Sequence, residues 1–394
     1  MKLLEYQAKQ RFAAAGIAIP PGRLARTPDE AAAAARDLGR VAIKAQVPIG
    51  GRGKAGGIAL VDTPEDARRE AQRILGMDIR GYPVRSVWCE SALSIAGELY
   101  LGITLDRDRG RLVVIFSAAG GMDIEQVAEA TPERIAKVWP DPFAGPQPFE
   151  LRRLVFAALK DAATLPVQPA ALAAAVVPLA TKLYALAVDV DAVTCEINPL
   201  VLIQDGALIA GDAKLEIDEN AEFRHKDIAA ELARDEGDAG SPGDDPFEAE
   251  ARRRGLTYVH LDGDIGCIGN GAGLVMNTLD LVKQQGGEPA DFLDVGGGAG
   301  AEKVRNALEM VLLDPKVRGV FINIFGGITR GDEVARGVVA ARDELHITKP
   351  LVVRMTGTNE EEGRQILEAA GIVPAKSATE AARAIVALTR EATP

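Results

Sequence analysis

The stretch AIKAQVPIGGRGKAGG, residues 42–57, places a lysine after a short apolar run and follows it with an arginine, a second lysine and five glycines. That composition suits a phosphate, because glycine lets main-chain N–H groups close over an anion while basic side chains supply charge. Two common phosphate loops are excluded by spacing. A Walker loop needs Gly, four residues, then Gly-Lys-Ser/Thr, but Gly53-Lys54 is followed by Ala55 and Pro48 stands where the first glycine belongs. Gly51, Gly53 and Gly56 fit G-x-G-x-x-G by letter. That fingerprint opens a helix, whereas GIALVDT, residues 57–63, has the pattern of a strand. The stretch therefore predicts strand, glycine loop and strand, with Lys44 projecting from the first. A solvated surface hairpin is the plain alternative on the loop alone.

The surrounding sequence reads as an α+β arrangement. TPDEAAAAARDLG (27–39) and TPEDARREAQRILG (63–76) each open on a threonine start signal. GELYLGITLDRDRGRLVVIFSA (97–118) reads as a long antiparallel hairpin turned at Asp108-Arg109-Gly110, and further strands are expected at 192–203 and 207–215. The acidic, Gly- and Pro-containing segment 232–255 offers little to bury, so the main linker is placed near 234–248. This predicts one domain over 1–240 and another over 248–394. In the second, four apolar runs end in glycine turns that open helical patterns: GNGAG (269–273), VGGGAG (295–300), FGGITRG (325–331) and TGTN (356–359). Strands alternating with helices specify an α/β domain with a parallel sheet covered on both faces, and such sheets bind ligands at the carboxyl ends of their strands. Glycines that merely permit tight turns would give the same letters.

With 394 residues, 47% of them apolar, the chain can bury more than one core. A net charge of −12 argues against nucleic acid as a partner. Cys89, Cys195 and Cys267 lie far apart, which disfavours a disulfide framework or a zinc site and fits a cytoplasmic protein. Glu5 interrupts any signal-peptide core, and the Ala-rich run at 170–188 contains Lys182 and Pro178, so it reads as a packed helix rather than a membrane span.

Glu196 and Asn198 alternate with apolar neighbours and so share one face of their strand. Whether Asp212 joins them depends on register. A two-residue turn at Asp205-Gly206 would send it to the other face; a three-residue loop, Gln204 to Gly206 with Gly206 left-handed, puts Asn198 directly across from Asp212. The second is predicted. It gathers an amide oxygen and two carboxylates, hard donors suited to Mg2+. Strand polars facing solvent are the alternative.

EYQAK at the start, IKAQVPIGGRGKAGG, GGMDIE, EINPL, GNGAGLVM, FLDVGGGA and NIFGGITR occur in order across nearly the whole chain. In this it closely resembles the succinyl-CoA synthetase beta subunits. Each motif is weak singly; the ordered set is specific. The resemblance implies an ATP-grasp domain followed by a flavodoxin-like CoA-ligase domain. It implies a nucleotide site at Lys44, Gly51, Arg52, Gly53, Glu90, Leu93 and Glu98, with Glu90 and Leu93 by the base and Glu98 at the ribose. It implies Mg2+ ligands at Asn198 and Asp212, succinate contacts at Asn270, Gly327, Ile328 and Thr329, and a catalytic glutamate, Glu196, that steadies a phosphohistidine.

None of the three histidines, His225, His260 and His346, sits in a glycine-flanked acceptor motif like the family's. The resemblance therefore implies an obligate alpha subunit that carries the histidine and the CoA site, in a heterodimer or heterotetramer, with succinate, CoA and ATP or GTP as substrates. Pro48 replaces a histidine frequent in relatives, and Leu93 and Gly97 also depart from common choices, while Pro20 matches ATP-using members. The rival activities are a malate-CoA ligase, which differs by one substrate hydroxyl, and a non-catalytic nucleotide sensor. Intact Lys44, Asn198 and Asp212 oppose the sensor. A biotin-dependent carboxylase is disfavoured because no biotinylation-like segment is present.

Overall fold

The structure, a computed structural model, describes residues 1–160, 165–236 and 245–391. The chain divides into two units, Met1–Gly243 and Asp244–Pro394. Within the segment read as a linker, residues 237–244 lie outside the described part, and helices Lys226–Glu236 and Pro246–Arg253 occupy its two sides. The second helix corrects the reading of that side as having little to bury. Asp245 Oδ1 caps it by accepting from Phe247 N and Glu248 N, Ala251 is buried, and Phe247 packs on the core of the second unit. Acidic composition masked an N-cap.

In the first unit, Val41–Ala45 and Ile58–Val61 pair antiparallel with Lys44 opposite Ile58, so the glycine loop does connect two strands. They belong to a four-stranded sheet ordered Gly22–Ala25, Val87–Ser91, Val41–Ala45, Ile58–Val61. The helices Pro28–Leu38 and Pro64–Leu75 are capped by Thr27 and Thr63, whose side chains accept from Glu30 N and Asp66 N. Their small residues Ala31, Ala35, Ala67 and Ala71 join Val41, Ile43 and Val87 in one core.

A six-stranded antiparallel sheet forms the rest of this unit, with Ile95–Asp106 and Ala192–Ile203 as its long central strands. Asp106 pairs with Arg111, so the hairpin turn is Arg107–Gly110, one residue longer than expected. Helix Pro169–Asp189 is long and apolar enough to cross a membrane, but it covers this sheet: Leu172, Val176, Leu183 and Ala187, at helical spacing, are buried with Leu99, Leu101 and Cys195.

The second unit holds a sheet ordered Thr257–His260, Asp291–Asp294, Ile265–Gly269, Gly319–Gly326, Leu351–Gly357, Val373–Ala375. Its last five strands are mutually parallel, and their chain order across the sheet is 2-1-3-4-5, the flavodoxin-like winding. Along Gly319–Gly326, Val320, Ile322 and Ile324 enter one core and Phe321 the other, as a sheet buried on both faces requires. Sequence reading missed the antiparallel edge strand Thr257–His260 and the short edge strand Val373–Ala375. The second contains Pro374, tolerated at an edge because it has no N–H to donate.

Candidate active site

The long strand Ala192–Ile203 meets its return at Leu200↔Ala210 and Leu202↔Leu208, and Ile203 N donates to Ala207 O. The loop is Gln204–Gly206, with Gly206 at φ +87°, a region a side chain would make costly. The same register continues past the break, with Gly211 N donating to Pro199 O and Glu196 opposite Lys214. Glu196, Asn198 and Asp212 therefore face one cavity of about 560 Å³, whose opposite wall includes Gly50, Gly51 and Arg52 of the glycine loop. That volume lies in the range of small-molecule sites.

Several polar groups in this cavity are held by neighbours. Asn198 Oδ1 accepts from Gly121 N at 2.9 Å and its Nδ2 donates to Met122 O at 2.9 Å, which pins the GGMDIE turn against the strand. Arg52 Nη2 donates to both Asp212 oxygens at 2.8 Å, and its Nη1 donates to Glu5 Oε2 at 2.6 Å. Lys54 of the same loop reaches Asp123 Oδ2 at 2.5 Å. Burial pushes the Glu196 carboxyl above its ordinary range, and Glu125 and Asp212 add to that against the pull of Lys214.

Behind the loop lies a buried charge cluster. Glu5 is 3% exposed, and its Oε1 binds Lys9 and Lys44, each at 3.0 Å. Lys44 Nζ also meets Glu90 Oε1 at 2.7 Å and donates to Gly211 O at 2.6 Å. Three acceptors use all three ammonium protons, so a phosphate at Lys44 must displace one of them. Burial favours the neutral lysine, yet Glu5 and Glu90 outweigh it and hold Lys44 firmly charged. Burial alone would raise Glu5, but Arg52, Lys44 and Lys9 together hold it well below the usual carboxylate range.

The expected nucleotide residues fall into two groups. Arg52 and Gly51 face the cavity, whereas the Glu90 side chain turns into the charge cluster, bound by Lys9, Lys44 and Trp88 Nε1. Any contact of Glu90 with a base would thus fall to its main chain. Leu93 is half-buried just beyond strand Val87–Ser91. Glu98 is exposed on Ile95–Asp106, its main-chain O accepting from Gly120 N and its carboxylate against Gly121. Glu5, Lys9 and the Gly121-Met122 turn were not singled out as site residues from sequence; their motifs were visible, but no local signal said what they touch.

In the second unit, Asn270, Gly327, Ile328 and Thr329 do gather at the carboxyl end of the sheet. Asn270 Nδ2 donates to Phe325 O and Thr329 Oγ1, and its Oδ1 accepts from Phe325 N. Thr329 Oγ1 accepts from Gly298 N at 3.0 Å, which brings the VGGGAG turn into the same network. Ile328 is 88% exposed beside this buried threonine, and Gly327 O accepts from Thr358 Oγ1. Two of the histidines have structural partners: His225 Nε2 lies 2.7 Å from Asp191 Oδ2, and His260 bridges Asp245 and Asp314.

Residues 2–202 match the ATP-grasp domain family and residues 268–388 the CoA-ligase family. Fold and site together define a CoA-ligase enzyme built on an ATP-grasp domain. The chain is 51% identical over 389 residues to the GDP-forming succinate–CoA ligase subunit beta of Thermus thermophilus, covering 98% of this chain and 99% of that one. It is 48% identical over 388 residues to the ADP-forming succinate–CoA ligase subunit beta of Roseiflexus sp. (strain RS-1), covering 98% of each. In fold it is similar to ATP citrate lyase from Methanothrix soehngenii, solved with citrate and coenzyme A, at a TM-score of 0.72 and 18% identity over 99% of both chains. The chain belongs to the family of succinate–CoA ligase beta subunits.

Proposed function

We propose that this chain works in the cytoplasm with an alpha subunit to form succinyl-CoA from succinate and CoA, converting ATP to ADP and phosphate through a phosphohistidine on the partner. GTP is the alternative nucleotide, since relatives near 50% identity carry both GDP-forming and ADP-forming names. The observation that carries the reading is the register that sets Glu196, Asn198 and Asp212 together on a cavity closed by the glycine loop.

In the cycle, the cavity of the first unit binds the nucleotide phosphates. Main-chain N–H groups of Gly51 and Gly53, with Arg52 and Lys44, position and neutralise the transferring group. Asn198 and Asp212 would hold Mg2+, which when bound supplies charge neutralisation to the phosphates. Arg52 now holds both Asp212 oxygens and Gly121 N–H holds Asn198 Oδ1, so the ion would take these donors in exchange for those contacts. One carboxylate and one amide leave room for the waters and phosphate oxygens this ion prefers. Glu196 steadies the partner's histidine as it takes the phosphoryl group. Asn270 and the Gly327-Ile328-Thr329 turn orient the succinate carboxylate that then receives it, and the CoA thiol displaces phosphate from the resulting acyl phosphate.

Asp212→Asn keeps the shape and removes the charge. In the assembled enzyme it should lower phosphorylation of the partner by γ-labelled ATP about 100-fold or more, with assembly unchanged by gel filtration. A near-normal rate would contradict the assignment of Asp212.

A further inference from the structure

Asp78–Ile79 and Tyr82–Pro83 pair antiparallel with Ile79 opposite Tyr82, so Arg80 and Gly81 form a two-residue turn. Both lie at positive φ, +55° and +88°. A turn of that form favours Asn-Gly, because the left-handed region is costly for a residue with a long side chain. An arginine there accepts a strained backbone, and such strain is kept where the side chain has a use. The turn is firmly held: Gly81 N donates to Asp78 Oδ1 at 2.7 Å, Val84 N donates to Met77 O at 2.9 Å, and Ile79 is buried against Gly57, where a β-carbon would come within 2.8 Å of its Cδ1. This brings Arg80 to the glycine loop. A β-carbon built on Gly51 would lie 3.4 Å from Arg80 Nη2 and 3.8 Å from Cζ, so the guanidinium rests beside the loop main chain, on the wall of the 560 Å³ cavity.

Five carboxylates line that cavity against four cations. A polyphosphate entering it therefore needs a donor not already committed to an acid. Arg52 is bound to Asp212 and Glu5, Lys54 is bound to Asp123, and Lys214 stands opposite Glu196. The fourth, Arg80, is exposed and has neither an ion pair nor a hydrogen-bond partner among the described residues. We propose that Arg80 is a further binding residue for the phosphate chain of the nucleotide, its guanidinium completing, with the main-chain N–H groups of the glycine loop, the set of donors to the phosphate oxygens. The inference rests on the nucleotide reading of this cavity given above. A planar guanidinium can give a phosphate two parallel hydrogen bonds, and the rigid turn sets it beside the loop before the ligand arrives.

Arg80→Asn removes the guanidinium and suits the turn better than arginine does, so the variant should melt no lower than the parent. In the enzyme assembled with its alpha subunit, Kd for the Mg2+ complex of the β,γ-imido analogue of ATP or GTP, whichever the parent binds, should rise about tenfold by titration calorimetry. KM for succinate should stay unchanged. Arg80→Lys, which keeps the charge and loses the planar fork, should fall between the two. An Arg80→Asn enzyme that binds the analogue as tightly as the parent overturns the inference; if it then phosphorylates the alpha subunit more slowly, the guanidinium acts on the partner's phosphate instead. Parental affinity in both Arg80→Asn and Arg52→Lys, or a parent that binds neither analogue, overturns the nucleotide reading of the cavity on which the inference rests.

Discussion

Glu5 has both carboxylate oxygens engaged by cations, Lys9 and Lys44 on one and Arg52 on the other. Arg52 belongs to the glycine loop and Lys44 to the strand that precedes it, so this one carboxylate ties the loop to its root. Glu5→Ala leaves three buried cations short of a partner and should cost about 3–5 kcal/mol, read as a lower denaturation midpoint of the first unit. The sign of the pH dependence follows from the depressed folded-state value: the stabilisation is complete above the unfolded value of 4.5 and is lost as pH falls through the lower folded one. Glu5→Gln should therefore flatten the acid limb of the stability profile, and an unchanged acid limb would contradict the cluster. In the sequence, Glu5 and Lys9 look like an ordinary i,i+4 surface pair. What buries them, Gly211, Glu90 and Arg52, lies tens to hundreds of residues away, beyond any local pattern.

At the scale of elements, the hairpin from Ala192 to Ile217 shows how far local chemistry reaches. Its register was legible because a short Asp-Gly loop leaves few ways to return, and the three-residue form with a left-handed Gly206 is the one observed. Gly206→Asn should cost least, Gly206→Ala about 1–2 kcal/mol and Gly206→Val more, in melting experiments; a valine variant as stable as the parent would contradict the loop. The Gly121-Met122 turn that Asn198 holds could not be read from spacing, since it comes from a segment 76 residues or more away in the chain. In the second unit the four strand-turn-helix repeats were legible because apolar runs and glycine turns alternate regularly. The short edge strands Thr257–His260 and Val373–Ala375 were not, being three or four residues long and, in one case, carrying a proline. The helix at Pro246 was hidden by the acidic residues that cap it.

Across the whole molecule, each unit carries its own polar network: charged side chains in the first, amide, hydroxyl and main-chain N–H in the second. That division suits two ligands of different chemistry, a polyphosphate and a small carboxylate, and the reaction proposed above needs both. The proposed reaction also takes its acceptor histidine from the alpha subunit, since none of His225, His260 and His346 sits in a glycine-flanked acceptor motif. The most direct measurement is an initial-rate assay of ADP release by the chain assembled with its alpha subunit, supplied with CoA and Mg-ATP and offered succinate or malate. The account predicts strong preference for succinate and no turnover by the isolated chain. Equal or faster turnover of malate, or silence with both acids, would contradict it.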